Sequence, residues 1–294
     1  MVVMNKDKVF LRVIYVVLFL MTLTMIIPIL NIGALSLSSP DRVNELSGFS
    51  ILPKGFSLVN YRVLLSNPLV LRSLLNSVFI TITATFINLF FTSMSAYVLT
   101  RPKLKGKRLF MALLILVMVL EPGIVPEYLV MKEIDLIGSY WSVILYKAVN
   151  VYYLIILMRF FEDVPISLVE AAEVDGAGHL TIFGKIFLPL AKPAMATVGL
   201  FYAVYHWNEY FRAGIYLNQA QWPLQVVLRQ FVVLNDTSSL VGASSLLAYN
   251  EAAQLSYDAL QAGTIVIAIV PILMLYPLIL KYYTKGTMEG GVKE

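Results

Sequence analysis

The chain has 294 residues, of which 59% are hydrophobic and 14% charged, and its formal net charge is +4. Soluble globular domains are nearer to half apolar and a quarter charged, so the apolar excess predicts a lipid-facing surface. The absence of cysteine and the two distant histidines exclude a disulfide framework, a thiolate nucleophile and a zinc site, and the small net charge argues against a nucleic-acid binder.

Six apolar runs are long enough to cross a bilayer, whose hydrocarbon core of roughly 30 Å needs about 20 residues of helix. Three of them are uninterrupted, and the other three contain a charge or a Pro-Gly break. In chain order they are residues 13–40, 73–100, 109–130, 141–158, 193–217 and 259–280. We predict an all-α polytopic membrane protein with six transmembrane helices and a single transmembrane domain, residues 1–294. The first run is too long for a cleaved signal, so we expect it to be retained.

The basic residues predict the orientation. If the N-terminus lies inside, most of the Lys and Arg residues fall on inner segments, including the cluster at 101–108. Because cytoplasmic loops carry such an excess, we expect both termini in the cytoplasm. Three segments then remain outside the spans. They are an outer segment with a possible interfacial helix at 57–65, an inner loop at about 160–193 and an outer loop at about 218–257.

The inner loop has the signals of two short helices. Pro165 suits a first helical turn, and Ser167 and Glu170 stand at capping-box spacing. Gly176 is a natural helix stop, and a second helix from about 178 to 187 would end at Pro189. We therefore predict a helix–turn–helix on the inner face, although an ordinary amphipathic connector would have similar signals.

At this loop the sequence resembles a known family. Glu170-Ala171-Ala172 is followed at fixed spacing by Gly176, Ile186 and Leu188-Pro189, which matches the EAA loop of ATP-binding-cassette (ABC) importer permeases. Four further motifs resemble those of the carbohydrate permeases related to the smaller membrane subunit of the maltose importer. These are Asn76-Ser77, Trp207-Asn208-Glu209-Tyr210, Trp222-Pro-Leu-Gln and Tyr282-Tyr-Thr-Lys-Gly286.

The resemblance implies a type I ABC importer permease fold in the bacterial inner membrane and several partners. These would be a homologous second permease subunit, two cytoplasmic ATPase subunits that hold ATP and Mg, and an extracytoplasmic solute-binding protein that receives the outer loop. The residues of the ATPase-coupling loop would be Glu170, Ala171, Ala172, Asp175, Gly176, Ile186, Leu188 and Pro189. Since no G-x-x-x-x-G-K-[ST] motif occurs, this chain is expected to be no enzyme and to bind no cofactor or metal itself.

Residues 103–108 and 123–129 resemble a subgroup that takes larger or acidic saccharides. The expected cargo is therefore an oligo- or polysaccharide, with an acidic one such as alginate favoured. A neutral oligosaccharide, a peptide or a polyamine is the alternative within the family. An ion-driven secondary transporter is the alternative from another class, but it would leave the EAA match unexplained, and no internal repeat supports it.

Charges within the predicted spans are candidates for a substrate pathway, because such charges usually face a bundle interior or a conduit. Glu209 and Arg212 are three residues apart and could simply pair on one helix face, whereas Lys147 has no partner in its own span. Glu121 and Glu127 are expected nearer the water interface. The pathway candidates are Lys147, His206, Glu209 and Arg212.

Overall fold

The computed structural model describes residues 3–102, 104–233 and 256–290. Within these ranges the regular structure is helical, apart from one isolated antiparallel bridge between Ser38 and Phe56. The α-helices are α1 (Val3–Ser36), α2 (Val59–Ser66), α3 (Pro68–Thr100), α4 (Lys107–Val119), α5 (Ile124–Glu133), α6 (Trp141–Ile144), α7 (Val151–Glu162), α8 (Ile166–Val174), α9 (His179–Ile182), α10 (Leu188–Leu190), α11 (Lys192–Asn208), α12 (Phe211–Tyr216), α13 (Leu224–Leu228) and α14 (Tyr257–Gly290). Lys103 of the 103–108 motif and residues 234–255 of the outer loop lie outside the described ranges.

The predicted all-helical character is confirmed for the described residues. Three helices are long and apolar enough to cross a membrane, namely Phe10–Ser36, Pro68–Thr100 and Tyr257–Met274. Two more candidates are bent pairs, because α4 and α5 meet at 116°, and the stretch from α9 to α10 meets α11 at 84°. The described residues thus contain three to five candidate spans, and the count of six stays a prediction.

The run at 141–158 forms two short helices, α6 and α7, with a break between them. Lys147 in this break has a φ of 51°, a left-handed conformation that costs an L-residue roughly 1–2 kcal/mol and cannot continue a right-handed helix. Asn150 then begins α7, since its side-chain oxygen accepts the backbone N–H groups of Tyr152 and Tyr153. A hydropathy pattern does not register this local change of direction.

The Cα positions fall into two compact units, and the single domain remains a prediction. The first unit is Met1–Leu71 with Leu228–Val270, and the second is Arg72–Val227 with Pro271–Glu294.

In the first unit Asn31 donates to the carbonyls of Ser47 and Ser50, and the fully buried Asn60 donates to two carbonyls at the end of α1. These amides hold α2 and the segment between α1 and α2 against that end. The short helix predicted at 57–65 is present as α2.

In the second unit α3 and α11 are joined by buried polar pairs. Asn88 Nδ2 lies 2.8 Å from His206 Nε2, and the hydroxyls of Thr92 and Tyr202 lie 2.7 Å apart. The Tyr202 hydroxyl also accepts the backbone N–H of Asn150, 2.9 Å away, at the start of α7. Interhelical hydrogen bonds of this kind contribute about 0.6 kcal/mol on average in membranes, so they orient these helices more than they stabilise them.

Two of the sequence motifs bind each other in the same unit. Asn76 donates to the carbonyls of Ala220 and Trp222, each 3.2 Å away, and its own carbonyl oxygen accepts the Tyr140 hydroxyl at 2.9 Å. The Ser77 hydroxyl accepts the backbone N–H two residues after Trp222 at 2.7 Å. The Asn76-Ser77 pair therefore fixes the Trp222-Pro-Leu-Gln stretch to α3, which gives both motifs a structural reason.

Asn76→Ala should lower the thermal stability of the purified protein. It removes three hydrogen bonds and leaves two carbonyls and a hydroxyl without their partner, for a loss of roughly 2–4 kcal/mol. Asn208→Ala is the matched control, because Asn208 is exposed and its side chain bonds within its own helix, to the Val204 carbonyl. The measurement is the unfolding midpoint in detergent. Equal midpoints for the two variants would contradict this role of Asn76.

Candidate functional site

The segment at 160–193, predicted as the inner loop, begins with α8. The backbone at Pro165 is the N-terminal cap of this helix, and no side chain caps it. Ser167 consequently lies inside the first turn, where its hydroxyl is not placed to cap, and the capping box predicted for Ser167 and Glu170 is wrong. The helix starts two residues earlier than that pattern requires, with its N-cap at Pro165 instead of Ser167.

A glycine turn ends α8. Gly176 has a φ of 78°, its N–H donates to the Glu173 carbonyl at 3.1 Å, and the Ala177 N–H donates to the Ala172 carbonyl at 2.9 Å. This pair of bonds is a Schellman motif, in which glycine supplies the left-handed residue. A Cβ on Gly176 would meet no atom within 4 Å. The constraint on this position is therefore the backbone conformation and not the space around it.

The second helical stretch runs further than the sequence suggests. After α9, residues Phe183–Phe187 form a π-helix, in which the Leu188 N–H donates to the Phe183 carbonyl five residues back. Pro189 lies inside the next helical turn, and the direction changes only at Ala191. The prediction that Pro189 ends the helix is wrong. A widened turn directly before a proline accommodates the break that proline makes in the i→i−4 hydrogen-bond ladder.

The residues of the EAA pattern divide into an inward and an outward set. Ala172, Ile186 and Leu188 pack against the core of the second unit. The exposed members are Glu170, Ala171, Asp175, Gly176 and Pro189. Beside them Val174 is 88% exposed and Leu180 76% exposed, so this surface combines carboxylates with large apolar side chains.

An aromatic and cationic cluster holds the second helical stretch to the end of α3. The Arg101 guanidinium carbon lies 4.5 Å from the ring centres of both Tyr97 and Phe187. The ring centres of Phe161 and Phe187 are 5.2 Å apart, and the Tyr97 hydroxyl is 3.3 Å from His179 Nδ1. We call these five residues the anchor cluster. The sequence interpretation missed it, and the signal that could have found it was an arginine one helical turn after a tyrosine at the end of an apolar run.

A second site is formed where three helical segments are interrupted. We call it the charged group, and its members are Glu121, Glu127, Lys147, Glu209 and Arg212. Glu121 lies between α4 and α5, Lys147 between α6 and α7, and Glu209 between α11 and α12, while Glu127 and Arg212 lie in the first turns of α5 and α12. The sequence places these residues up to 91 positions apart. The fold forms two ion-paired sets, Lys147 with Glu121 and Arg212 with Glu127 and Glu209, and both cations lie near the Tyr146 ring.

Arg212 is enclosed by two carboxylates and an aromatic ring. Its Nε donates to Glu127 at 2.9 Å, its guanidinium lies 3.6 Å from Glu209, and the Tyr146 ring centre is 4.0 Å from its central carbon. Tyr146 in turn donates its hydroxyl to Glu127 at 3.0 Å. The side chains of Glu127 and Glu209 are 13% and 8% exposed. Removing one partner from such a buried pair costs about 3–5 kcal/mol, so these residues act as a structural unit.

Lys147 has a looser arrangement. Its ammonium donates to one oxygen of Glu121 at 2.8 Å, and the two side chains are 37% and 70% exposed. An exposed pair of this kind is worth about 0–1 kcal/mol. The ammonium also lies 5.6 Å from the Tyr146 ring centre, so both cations flank the same tyrosine. The left-handed backbone of Lys147 is a strained conformation of the sort that clusters at ligand sites.

The structure therefore brings three of the four pathway candidates together and separates the fourth. Lys147, Glu209 and Arg212 belong to the charged group, whereas His206 is buried against Asn88. The ion pair expected between Glu209 and Arg212 is present at 3.6 Å, but the shorter contact of Arg212 is to Glu127. Glu127 was expected near water and is instead mostly buried, because its partner lies 85 residues away in sequence and no local spacing shows it.

Comparison with known proteins gives consistent relatives, although no family model matches the chain. The polygalacturonan/rhamnogalacturonan transport system permease protein YtcP of Bacillus subtilis (strain 168) is 39% identical over 289 residues, which cover 98% of this chain and 99% of YtcP. Protein LplC of the same organism is 40% identical over 269 residues, 91% of this chain and 89% of LplC.

A solved structure also resembles the chain over nearly its whole length. It is the crystal structure of a bacterial ABC transporter involved in the import of the acidic polysaccharide alginate, and the TM-score is 0.88 at 30% identity. The match covers 95% of this chain and 98% of the other. With relatives of this identity along nearly its whole length, the chain belongs to the permease subunits of carbohydrate ABC importers, and the ATPase is a separate subunit.

Proposed function

We propose that this permease carries an acidic oligo- or polysaccharide, such as alginate, and that the 160–193 segment couples it to ATP hydrolysis by other chains. The complex would contain a homologous second permease, two cytoplasmic ATPase subunits with ATP and Mg, and an extracytoplasmic solute-binding protein. The 160–193 segment and both termini would face the cytoplasm, and the outer loop at 218–257 would meet the binding protein.

The observation that carries the coupling role is the exposed surface of the 160–193 segment. It displays Glu170 and Asp175 beside Val174 and Leu180, around a turn whose shape is fixed by Gly176. Large apolar side chains left exposed next to charges are typical of surfaces that bind another protein. In the proposed complex the apolar residues enter a cleft of one ATPase subunit, and Glu170 pairs with a basic residue there.

The anchor cluster supplies the mechanical link. Because Phe187 is packed against Tyr97, Phe161 and Arg101, a displacement of the docked segment moves the ends of α3 and α7 with it. Closure of the ATPase dimer on ATP would thus shift the permease between inward- and outward-facing states, as a two-state element biased by a ligand.

The cargo class is supported by the names of relatives and by the charged group. YtcP is named for polygalacturonan and rhamnogalacturonan, polymers that contain a uronic acid, and the solved transporter is described as importing alginate. Lys147 and Arg212 supply cations, and Glu209 belongs to the same group, so we propose that these three lie along the cargo pathway. His206, bonded to Asn88, would take part through helix packing. A neutral oligosaccharide is the second candidate, because a 32% identical relative from Halalkalibacterium halodurans is named for arabinooligosaccharides.

Gly176→Asp should abolish uptake and uncouple ATP hydrolysis. A side chain at this φ strains the turn by roughly 1–2 kcal/mol and distorts the docking surface. Gly178→Asp is the matched control, because it adds the same charge two residues away, where φ is −74° and an added side chain also meets no atom within 4 Å. Uptake and ATPase activity are measured for both in reconstituted vesicles. Normal uptake by Gly176→Asp would contradict the coupling role.

Arg101→Gln should lower the amount of saccharide imported per ATP hydrolysed by about tenfold. The change removes two cation–π contacts, each worth roughly 0.5–2 kcal/mol, that hold Phe187 and Tyr97 together. Arg108→Gln is the matched control, since Arg108 is an exposed arginine of the adjoining basic cluster. If both variants import equally per ATP, the anchor cluster does not transmit the motion.

The proposed function as a whole is tested by reconstituting the chain with its partners in vesicles. Uptake of oligogalacturonate or oligoalginate should require the binding protein, the second permease and the ATPase subunits with Mg-ATP, and should fail with a proton gradient alone. Import of neutral oligosaccharides, together with exclusion of both acidic probes, would show that the acidic cargo is wrong.

A further inference from the structure

The charged group contains one cation that can accept a new anion at little cost. Arg212 forms ion pairs with the carboxylates of Glu127 and Glu209, both largely buried. The Tyr146 ring covers one face of its guanidinium. Lys147 has one carboxylate within 4.0 Å among the described residues, that of the exposed Glu121. An ammonium has three donors, and the bond to Glu121 uses one of them.

The break between α6 and α7 favours an aqueous setting for this lysine. Irregular backbone within an apolar span is tolerated where it is buried in protein or lines a water-filled cavity. The Lys147 and Glu121 side chains are 37% and 70% exposed, so the described residues do not bury this break, and a charged pair there favours a polar conduit over lipid. The left-handed backbone of Lys147 lies between α6 and α7, so this lysine is not part of a regular helical turn.

On these grounds, and resting on the proposed acidic cargo, we propose that Lys147 is a binding site for a cargo carboxylate. Glu121 is the internal counter-ion of this site, which the carboxylate of a uronic acid residue displaces as the saccharide passes. The arginine, its two carboxylates and Tyr146 hold the site in place and do not exchange.

The charges explain why a carboxylate would be selected. The group holds two cations and three carboxylates, and when Glu121 leaves, the remaining four charges sum to zero with Lys147 unpaired. An incoming carboxylate restores the pair, so the exchange conserves the local charge. A neutral sugar that pushed Glu121 aside would lose that pair without replacing it, so Lys147 favours the carboxylate by no more than the worth of an exposed pair, about 0–1 kcal/mol.

The test uses the full importer in vesicles, with the binding protein saturated by trigalacturonate, and measures uptake per ATP hydrolysed. Lys147→Met should lower this ratio by up to about fivefold, as expected for the loss of an exposed ion pair, while ATPase stimulation by the loaded binding protein remains. Lys147→Arg should retain most of the uptake. Lys132→Met, which changes an exposed lysine of α5, should match the wild type. Glu121→Gln should keep or raise the amount of saccharide imported per ATP.

A second measurement reads contact with the cargo directly. Since the chain has no cysteine, Glu121→Cys introduces a thiol unique within it, beside an intact Lys147. A negatively charged methanethiosulfonate reagent should label it in the assembled complex, and trigalacturonate delivered by the binding protein should slow the labelling several-fold. Wild-type chain, which has no thiol to label, is the control.

The inference is overturned if Lys147→Met imports as much per ATP as Lys132→Met, if Lys147→Arg loses as much as Lys147→Met, or if trigalacturonate leaves the labelling rate unchanged. In each case the wild-type complex still imports the acidic probe, and the proposed function stands. If the wild-type complex imports neither trigalacturonate nor an alginate trisaccharide, the proposed cargo is wrong and this site is wrong with it.

Discussion

The constraint on which this structure depends is the need to satisfy backbone polar groups where an apolar helix is interrupted. In hydrocarbon no water replaces a missing helical hydrogen bond, so each break needs a partner. Asn150 serves this purpose at the start of α7, where its side chain accepts two N–H groups. Glu209 serves it at α12, since its carboxylate accepts the backbone N–H of Arg212 at 2.8 Å. The polar residues within the apolar runs are therefore first of all structural.

The same breaks create the chemical difference within the charged group. Once a carboxylate such as Glu209 is used to terminate one helix and start the next, it is available to hold a guanidinium in a fixed place. Arg212 is then saturated, and Tyr146 and Glu127 complete its surroundings. Lys147 is left with the exposed Glu121 alone among the described carboxylates. One cation becomes part of the scaffold and the other remains exchangeable, although both look alike as charges in an apolar sequence.

Local signals in the sequence predicted what depends on local physics. The apolar runs predicted helices, and Gly176 predicted the turn after α8, because a left-handed residue has a strong preference for glycine. Pro189 misled the interpretation, because a π turn lets a helix continue through proline and has no simple sequence pattern. The pair of Glu209 with Arg212 was predictable from its spacing, whereas the Glu127 partner of Arg212 and the carbonyl partners of Asn76 could not be predicted, since they lie 85 and about 145 residues away. The EAA pattern indicated the family without indicating the cargo.

The π turn at Phe183–Phe187 has a consequence for how this segment can vary. It contains one residue more than an α-helical turn would need, directly before Pro189. Deleting one residue there would restore α-helical pairing and rotate everything before it by about 100° around the helix axis, because an α-helix has 3.6 residues per turn. Val174 and its neighbouring carboxylates would then point to another side of the molecule. Natural variation in this stretch is thus expected to exchange exposed residues such as Gly184 and Lys185 before it changes the number of residues.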